Sequence, residues 1–483
     1  MSSSSKLAAS RVFGNSASSF VGRNAQGMSS SKARSVLQKT SRSADSMAMQ
    51  NRQQERASRN PVRSSSGSNQ MSDKARTQIR STCSGGGCTG QSGKNRQRLT
   101  AATRMQLTAE MKRMRQSKAS QELGYSDMVE ATKSVTRVMK KTYYAKQLLL
   151  KSQGFAPGEI DPVDDGTFAD DVVLSERQLD NMIGRLREQL LLRKKRNAPL
   201  FEIRERARRN ALHLESQAET WELPILVVFD DGFIEEEKEL VRTALVDIIS
   251  KTCIRFEEID DIPVGQAHIL FSKNDDATYC GLSHLGRNGN QNVIYLNMVH
   301  CADQIVGTAA HETLHALGVQ HEQARPDRGQ FVALDWSNVN PQVLDLYEIA
   351  ESDASSNYGT PYDYYSIMHY DSRAGALDAN KPVFTAKTEP VDFFTAVMGQ
   401  RVELSPKDAD LLKRMYCMPS GCRDLRPLCG ALAMQGKCTT DAASMIDNCP
   451  RSCGFCPISI SEAAYAAAKN GGVRESPSTV NRL

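Results

Sequence analysis

GTAAHETLHALGVQHEQARPDR, residues 307–328, holds the densest chemistry in the chain: His311-Glu312-x-x-His315-x-x-Gly318-x-x-His321. On a helix His311 and His315 are four apart and stack on one face, so both imidazoles reach one ion. Glu312 follows the first of them and is placed to hold and deprotonate a water. Gly318 can take the left-handed conformation that ends a helix and turns the chain back. The return brings His321 in as third ligand and leaves a position open, the arrangement of a catalytic rather than a structural zinc. A bare His-Glu-x-x-His recurs by chance on helix surfaces. The extended form fixes five residue types in eleven positions and uses three of the eight histidines.

The extended motif resembles that of the metzincins. Its continuation, His321-Glu322-x-x-Arg325-x-Asp327-Arg328, resembles the astacin family in particular, and so does Ser366-Ile367-Met368-His369-Tyr370 further on. The resemblance covers about 210–417 and begins at TWELPILVVF, where LPILVVF (223–229) reads as a buried strand bounded by DDG. Next, EEEKELVRTALVDIISKT places Leu240, Ala244, Leu245 and Ile248 on one helical face, and AHILF and NVIYLN are further apolar runs. The implied fold is α+β, a two-subdomain zinc peptidase. A twisted sheet and long helices lie above the cleft and mostly irregular chain lies below.

The same resemblance implies one Zn²⁺ per catalytic domain on His311, His315 and His321. Met368 forms a turn beneath it, and Tyr370 is an auxiliary ligand that swings away to hold the oxyanion. Zinc would acidify a water, with Glu312 as general base and then acid, giving a secreted endopeptidase that hydrolyses proteins or peptides. Extracellular matrix or cuticle proteins are among the substrates that suit the family. The disulfides implied are Cys253–Cys417 and Cys280–Cys301. A different class of function, a binding protein with the peptidase domain as scaffold, has no use for Glu312, three metal-spaced histidines and Tyr370 together.

Upstream, 101–209 reads as a helical propeptide with an acidic stretch, DPVDDGTFADDVV, between two helices. Astacin propeptides carry an F-x-G-D-[IL]-like motif whose aspartate blocks the zinc. Phe168-Ala169-Asp170-Asp171-Val172 resembles it, with Asp171 as the zymogen-only ligand and Asp170 where the family has Gly. The tetrads Arg193-Lys194-Lys195-Arg196 and Arg206-Ala207-Arg208-Arg209 fit the R-x-[KR]-R pattern of proprotein convertases, and also fit solvated charge runs. Cutting after Arg209, by a convertase or a trypsin-like protease, makes an amino terminus at Asn210. The resemblance implies that this terminus is buried against Glu322.

Of the 483 residues only 6% are aromatic, and the net charge of +5 is uneven. Residues 1–120 hold 22 Lys and Arg against four acids, Asp45, Glu55, Asp73 and Glu110. Residues 1–100 are Ser- and Arg-rich without periodicity, hence expected to be disordered. Their start lacks the apolar core of ~7–15 residues that a secretory signal needs. A transit peptide, a misassigned gene start and a nucleic-acid-binding tail remain alternatives. The last lacks aromatic interleaving, and no nucleic-acid partner is expected. No apolar run approaches the ~20 residues of a membrane span.

Six of the twelve cysteines crowd into 422–456, as in small extracellular modules stapled in place of a core. CRDLRPLCGALAMQGKCTTDAASMIDNCPRSCGFC resembles the ShKT toxin fold, which implies Cys422–Cys456, Cys429–Cys449 and Cys438–Cys453. Ala443 and Ser444 stand where channel-blocking members carry Lys-Tyr, so a stapled accessory module is expected. Astacin domains joined to such modules are typical of nematodes and other invertebrates. Residues 457–483 read as a flexible tail. Cys83 and Cys88 flank SGGG, either as a small loop, a weak metal site or incidental residues.

Overall fold

The structure, a computed structural model, describes residues 11–12, 71–83, 128–194, 220–260, 265–275, 277, 279–350, 357–418, 422, 424–426 and 429–456. Its early elements are β1 (Arg11–Val12), α1 (Asp73–Cys83), α2 (Met128–Ser152), β2 (Val172–Val173) and α3 (Glu176–Lys194). The upper subdomain follows, with β3 (Ile225–Phe229), α4 (Glu235–Lys251), β4 (Phe256–Glu258), β5 (His268–Lys273), β6 (Gly281–His284), β7 (Gln291–Leu296) and α5 (Ile305–Ala316).

The expected strands at LPILVVF, AHILF and NVIYLN become β3, β5 and β7 of one mixed sheet in the order β1-β4-β3-β5-β7-β6-β2. β3 runs parallel to β4 and β5, with Val227 opposite Ile269, and β7 runs parallel to β5, with Ile294 opposite Phe271. Near-continuous apolar runs suit these strands because parallel strands are covered on both faces. Helices α4 and α5 supply cover and share a core with the sheet, including Val241, Leu245, Ile248, Phe256, Phe271, Ala309 and Leu314. Leu240 departs from the expected helical face. It is 39% exposed while Val241 is buried, because Val241, Leu245 and Ile248 are the residues that fall at helical spacing toward the sheet.

β6 is antiparallel to β7, and its other edge takes β2 from upstream in the chain in parallel, with Val172 opposite Ser283. The sheet edge along the cleft is therefore covered by the chain's own upstream segment.

Below the cleft the backbone is mostly irregular, as expected. It holds three short 3₁₀ turns, Glu322–Ala324, Arg328–Gln330 and Pro341–Tyr347, and a two-strand pair β8 (Val332–Leu334) and β9 (Phe384–Ala386). Helices α6 (Val391–Val397) and α7 (Pro406–Tyr416) close the domain. The core of this half is continuous with the segment from α2 to β2: Leu148, Leu149, Phe155, Phe168 and Val172 belong to one cluster with Tyr347, Tyr362, Tyr364 and Phe384.

The N-terminal region needs one correction. Residues 71–83, inside the stretch expected to be disordered, form α1 and its entry, with Met71, Ala75 and Ile79 buried in one core with Leu148, Leu149 and Phe155. An apolar residue every fourth position gives a polar helix one narrow stripe, which a neighbouring helix can cover. Arg193 and Lys194 of the first tetrad end α3, while Lys195, Arg196, the second tetrad with Arg209, Asn210, Cys88 and residues 457–483 lie outside the described residues.

All five expected disulfides are formed. Cys253–Cys417 ties the end of α4 to the end of α7, and Cys280–Cys301 flanks the sheet edge, with Cα separations of 5.6 and 5.5 Å. Cys422–Cys456, Cys429–Cys449 and Cys438–Cys453 staple α8 (Cys429–Met434), α9 (Lys437–Thr440) and α10 (Ala442–Asn448). This module rests on the domain before it: Arg414 donates to the Tyr358 carbonyl at 2.9 Å and to the Ser452 carbonyl at 3.0 Å.

Candidate metal centre and cleft

Helix α5 carries His311, Glu312 and His315, all buried. It ends as the sequence predicts. Gly318 sits at φ +100 and donates to the His315 carbonyl at 2.9 Å, while Val319 donates to the Leu314 carbonyl at 2.9 Å. This pair of bonds is the Schellman closure, and a left-handed glycine permits it. The chain then doubles back and sets His321 Nε2 3.1 Å from His315 Nε2.

The remaining ring nitrogens are anchored to backbone oxygens. His311 Nδ1 lies 2.7 Å from the Ile367 carbonyl, and His315 Nδ1 lies 2.8 Å from the Val319 carbonyl. A carbonyl only accepts, so both Nδ1 atoms carry the proton and both Nε2 lone pairs face inward. Burial and the Arg401 charge hold His311 at about 4. Burial, with the neighbouring imidazoles, holds His315 well below the usual range. Both rings are therefore neutral near pH 7.

Asp171, upstream of β2, closes the group. Its Oδ2 lies 3.2 Å from His311 Nε2 and 3.3 Å from His321 Nε2, and its Oδ1 has no hydrogen-bond donor. Ligand atoms of Asp171, His311, His315 and His321 all lie within 4.8 Å of one another. The inward lone pairs of His311 and His315 and the Asp171 carboxylate repel unless a cation sits among them. Nitrogen and oxygen donors in a set of four fit Zn²⁺. The residues present therefore fit the metal that the sequence implies.

The backbone around Asp171 holds it there. Phe168 and Val172 exchange hydrogen bonds, Ser283 of β6 donates to the Asp171 carbonyl at 2.9 Å, and Ala169 and Asp170 sit at φ +50 and +73. Asp170 thus occupies a left-handed position of the kind glycine adopts without penalty and aspartate tolerates at modest cost. The Ala169 amide donates to Asp345 at 2.8 Å, and the Tyr370 hydroxyl donates to the Ala169 carbonyl. The Tyr370 hydroxyl is thus engaged by the segment that carries Asp171, and its ring lies 4.3 Å from that of His321.

Beneath the site the SIMHY segment does two jobs. Met368 is fully buried, and its carbonyl accepts from the Glu322 amide at 3.0 Å. The Ile367 carbonyl, which orients His311, also takes a bond from Arg401 at 2.8 Å. Asp408 locks the same turn by accepting from Ser366 Oγ at 2.6 Å and from the Ile367 amide at 2.9 Å. Glu322 is paired with Arg325 at 3.0 Å and accepts from the Asp363 amide at 2.8 Å.

Glu312 faces the edge strand. Its Oε2 has no hydrogen-bond partner, and burial together with the Asp171 charge pushes its carboxyl well above the usual range, against the pull of Arg401. The strand comes so close that a Cβ on Gly281 would stand 2.5 Å from Glu312 Cγ and 2.7 Å from Cδ. Gly281, Arg401, Lys146 and Asp345 are the site residues that sequence reading passed over. Only Lys146 left a local signal, a lysine on the helical face shared by the buried Thr142, Ala145 and Leu149.

The family model described as Astacin matches residues 213–417, and the one described as ShK domain-like matches 421–456. The chain is 34% identical over 352 residues to zinc metalloproteinase nas-11 of Caenorhabditis elegans, covering 68% of this chain and 60% of that protein. It is 35% identical over 395 residues to zinc metalloproteinase nas-9 of the same organism, covering 80% of this chain and 68% of that one. Among solved structures it is similar to high choriolytic enzyme 1, a hatching enzyme zinc-protease from Oryzias latipes. That match has 30% identity and a TM-score of 0.35, and it covers 40% of this chain and 93% of the other.

Proposed function

This chain belongs to the astacin family of zinc metalloproteinases, and on that premise we propose that it is a secreted zinc-dependent endopeptidase held latent by its own propeptide. One observation carries the reading: a propeptide carboxylate, Asp171, completes a four-donor set with His311, His315 and His321 beside the unpartnered Glu312. Zinc, when bound by the three histidines, supplies a Lewis acid that polarises a peptide carbonyl and acidifies water.

The protein's own groups do the rest. Glu312 takes the proton of the attacking water on its carboxylate and passes it to the departing amine, a shuttle suited to a carboxyl whose affinity for protons burial has raised. Tyr370 already donates its hydroxyl to a peptide carbonyl in the cleft, that of Ala169. A substrate carbonyl in the working enzyme would meet the same donor, most strongly as charge develops on its oxygen. The free edge of β6, once β2 leaves, offers backbone groups to an extended substrate strand. Substrates are proteins or peptides, with matrix and cuticle proteins among the candidates.

Activation requires Asp171 to leave. Cleavage after Arg209 by a convertase or trypsin-like protease would do this and give Asn210 as the new terminus, with Glu322 as its partner. Among the described residues no helix is long and apolar enough to cross a membrane. The disulfide-rich module suits the oxidising exterior.

The test is cleavage of a denatured protein by the processed chain, with and without a zinc chelator, beside Glu312→Ala. Chelator-sensitive cleavage by the wild type and a silent variant that still carries one zinc are expected. Unchanged rates in Glu312→Ala would overturn the assignment.

A further inference from the structure

Asp345 lies in the 3₁₀ turn Pro341–Tyr347, on the lower wall of the cleft, with its side chain 2% exposed. Its Oδ2 accepts from the Ala169 amide at 2.8 Å and pairs with Lys146 Nζ at 3.2 Å, and its Oδ1 has no donor. Among the described residues, both groups bonded to this carboxylate belong to the propeptide. Ala169 also gives its carbonyl to the Tyr370 hydroxyl, so Asp345 and Tyr370 grip the two backbone polar groups of one residue. Asp345 therefore stands within about one residue's reach of the oxyanion position.

Lys146 reaches this carboxylate from α2 with its side chain 4% exposed, steadied by the Val163 carbonyl at 3.2 Å and Asp165 at 3.4 Å. When the propeptide leaves, the ammonium and the amide leave with it. The carboxylate on the cleft wall is then freed of both partners and attracts a cation that enters the cleft. The geometry points to what replaces them: an ammonium or guanidinium entering from the cleft.

We propose that Asp345 is the specificity carboxylate of the processed enzyme, taking a lysine or arginine side chain of the substrate at a position next to the scissile bond, with Lys146 as its stand-in before activation. This rests on the endopeptidase reading above. Arginine would add a planar pair of donors and can satisfy Oδ1 as well as Oδ2.

The full chain, processed by limited proteolysis, is first assayed for chelator-sensitive cleavage of a denatured protein. No such cleavage would remove the endopeptidase reading itself. Cleavage present, quenched-fluorescent peptides randomised on both sides of the scissile bond are then profiled with wild type, Asp345→Asn and Asp345→Lys. The expected wild-type profile favours Lys or Arg at one position. Asp345→Asn should lose about 30-fold or more in kcat/KM on basic peptides relative to neutral ones, chiefly in KM. Asp345→Lys should move the preference toward Asp and Glu at that same position. A wild-type profile with no basic preference overturns the proposal without needing either variant to fold. So does an Asp345→Asn enzyme whose losses are equal on basic and neutral peptides, which would leave Asp345 as a propeptide anchor alone.

Discussion

Gly281→Ala is the sharpest test of how Glu312 is placed. The added methyl would stand 2.5 Å from Glu312 Cγ and 2.7 Å from Cδ, whereas carbon atoms rest about 3.5–4 Å apart. One side must therefore yield by about 1 Å. Gly281 sits in β6, paired to Leu296 of β7 and next to the disulfide-bonded Cys280, so the strand is braced. Glu312 is on a helix buried at every position but Val306, so its backbone is equally braced and its side-chain torsions are the softest element. A catalytic group misplaced by about 1 Å costs on the order of 10²-fold in rate, or about 2.7 kcal/mol of barrier. Since Glu312 acts as protons move, the loss should fall on kcat and leave KM within about threefold. The measurement is steady-state kinetics on the processed variant, with zinc content by atomic absorption and a thermal melt alongside. One zinc per chain and a kcat lowered on the order of 100-fold are expected. A variant with kcat within about threefold of wild type would refute the reasoning. Loss of zinc in proportion to activity would place the damage on the histidines instead.

Lys146→Met should weaken latency, because it leaves Asp345 and Asp165 facing each other without their cation. Removing one partner of a buried pair costs about 3–5 kcal/mol, so the unprocessed chain should cleave peptides at least about 100-fold faster than wild-type zymogen. An equally silent variant would count against the anchor. Asp170→Gly should do the reverse, stabilising the inhibitory turn at φ +73 by on the order of 1 kcal/mol, read as slower leakage of zymogen activity. Asp408 supplies a pH test. Burial, then the Asp363 charge, raises its carboxyl to about 6. The folded chain thus keeps a proton that the unfolded chain has released, and this group's contribution to stability falls as pH rises from about 4 to about 6. Relative to wild type, Asp408→Asn should gain about 2–3 kcal/mol between pH 4 and pH 7 in denaturant melts of chelated protein. Equal differences at both pH values would contradict this.

Legibility in the sequence was confined to near neighbours along the chain. His311, Glu312 and His315 are set by one helical turn, and Gly318 by the reversal that follows it, so both were legible. The Ser366–Tyr370 segment and the cysteine pairs were legible through resemblance. The helix at 71–83 was not, because its apolar stripe is too thin to hold a helix without the propeptide core against it. Leu240 was assigned to the wrong face for a similar reason: helical periodicity names a stripe, and the neighbour selects which edge of it is buried.

By itself, then, the sequence determined the metal-spaced histidines with Glu312 among them and, through resemblance, the stapled module, since each depends on residue type at short spacing. Tertiary structure alone decided that Gly281 limits Glu312 and that Arg401 braces the turn orienting His311. It also decided that Lys146 meets Asp345 across 199 positions of chain. Those contacts join separate elements, and chain spacing carries no record of which surfaces packing will press together.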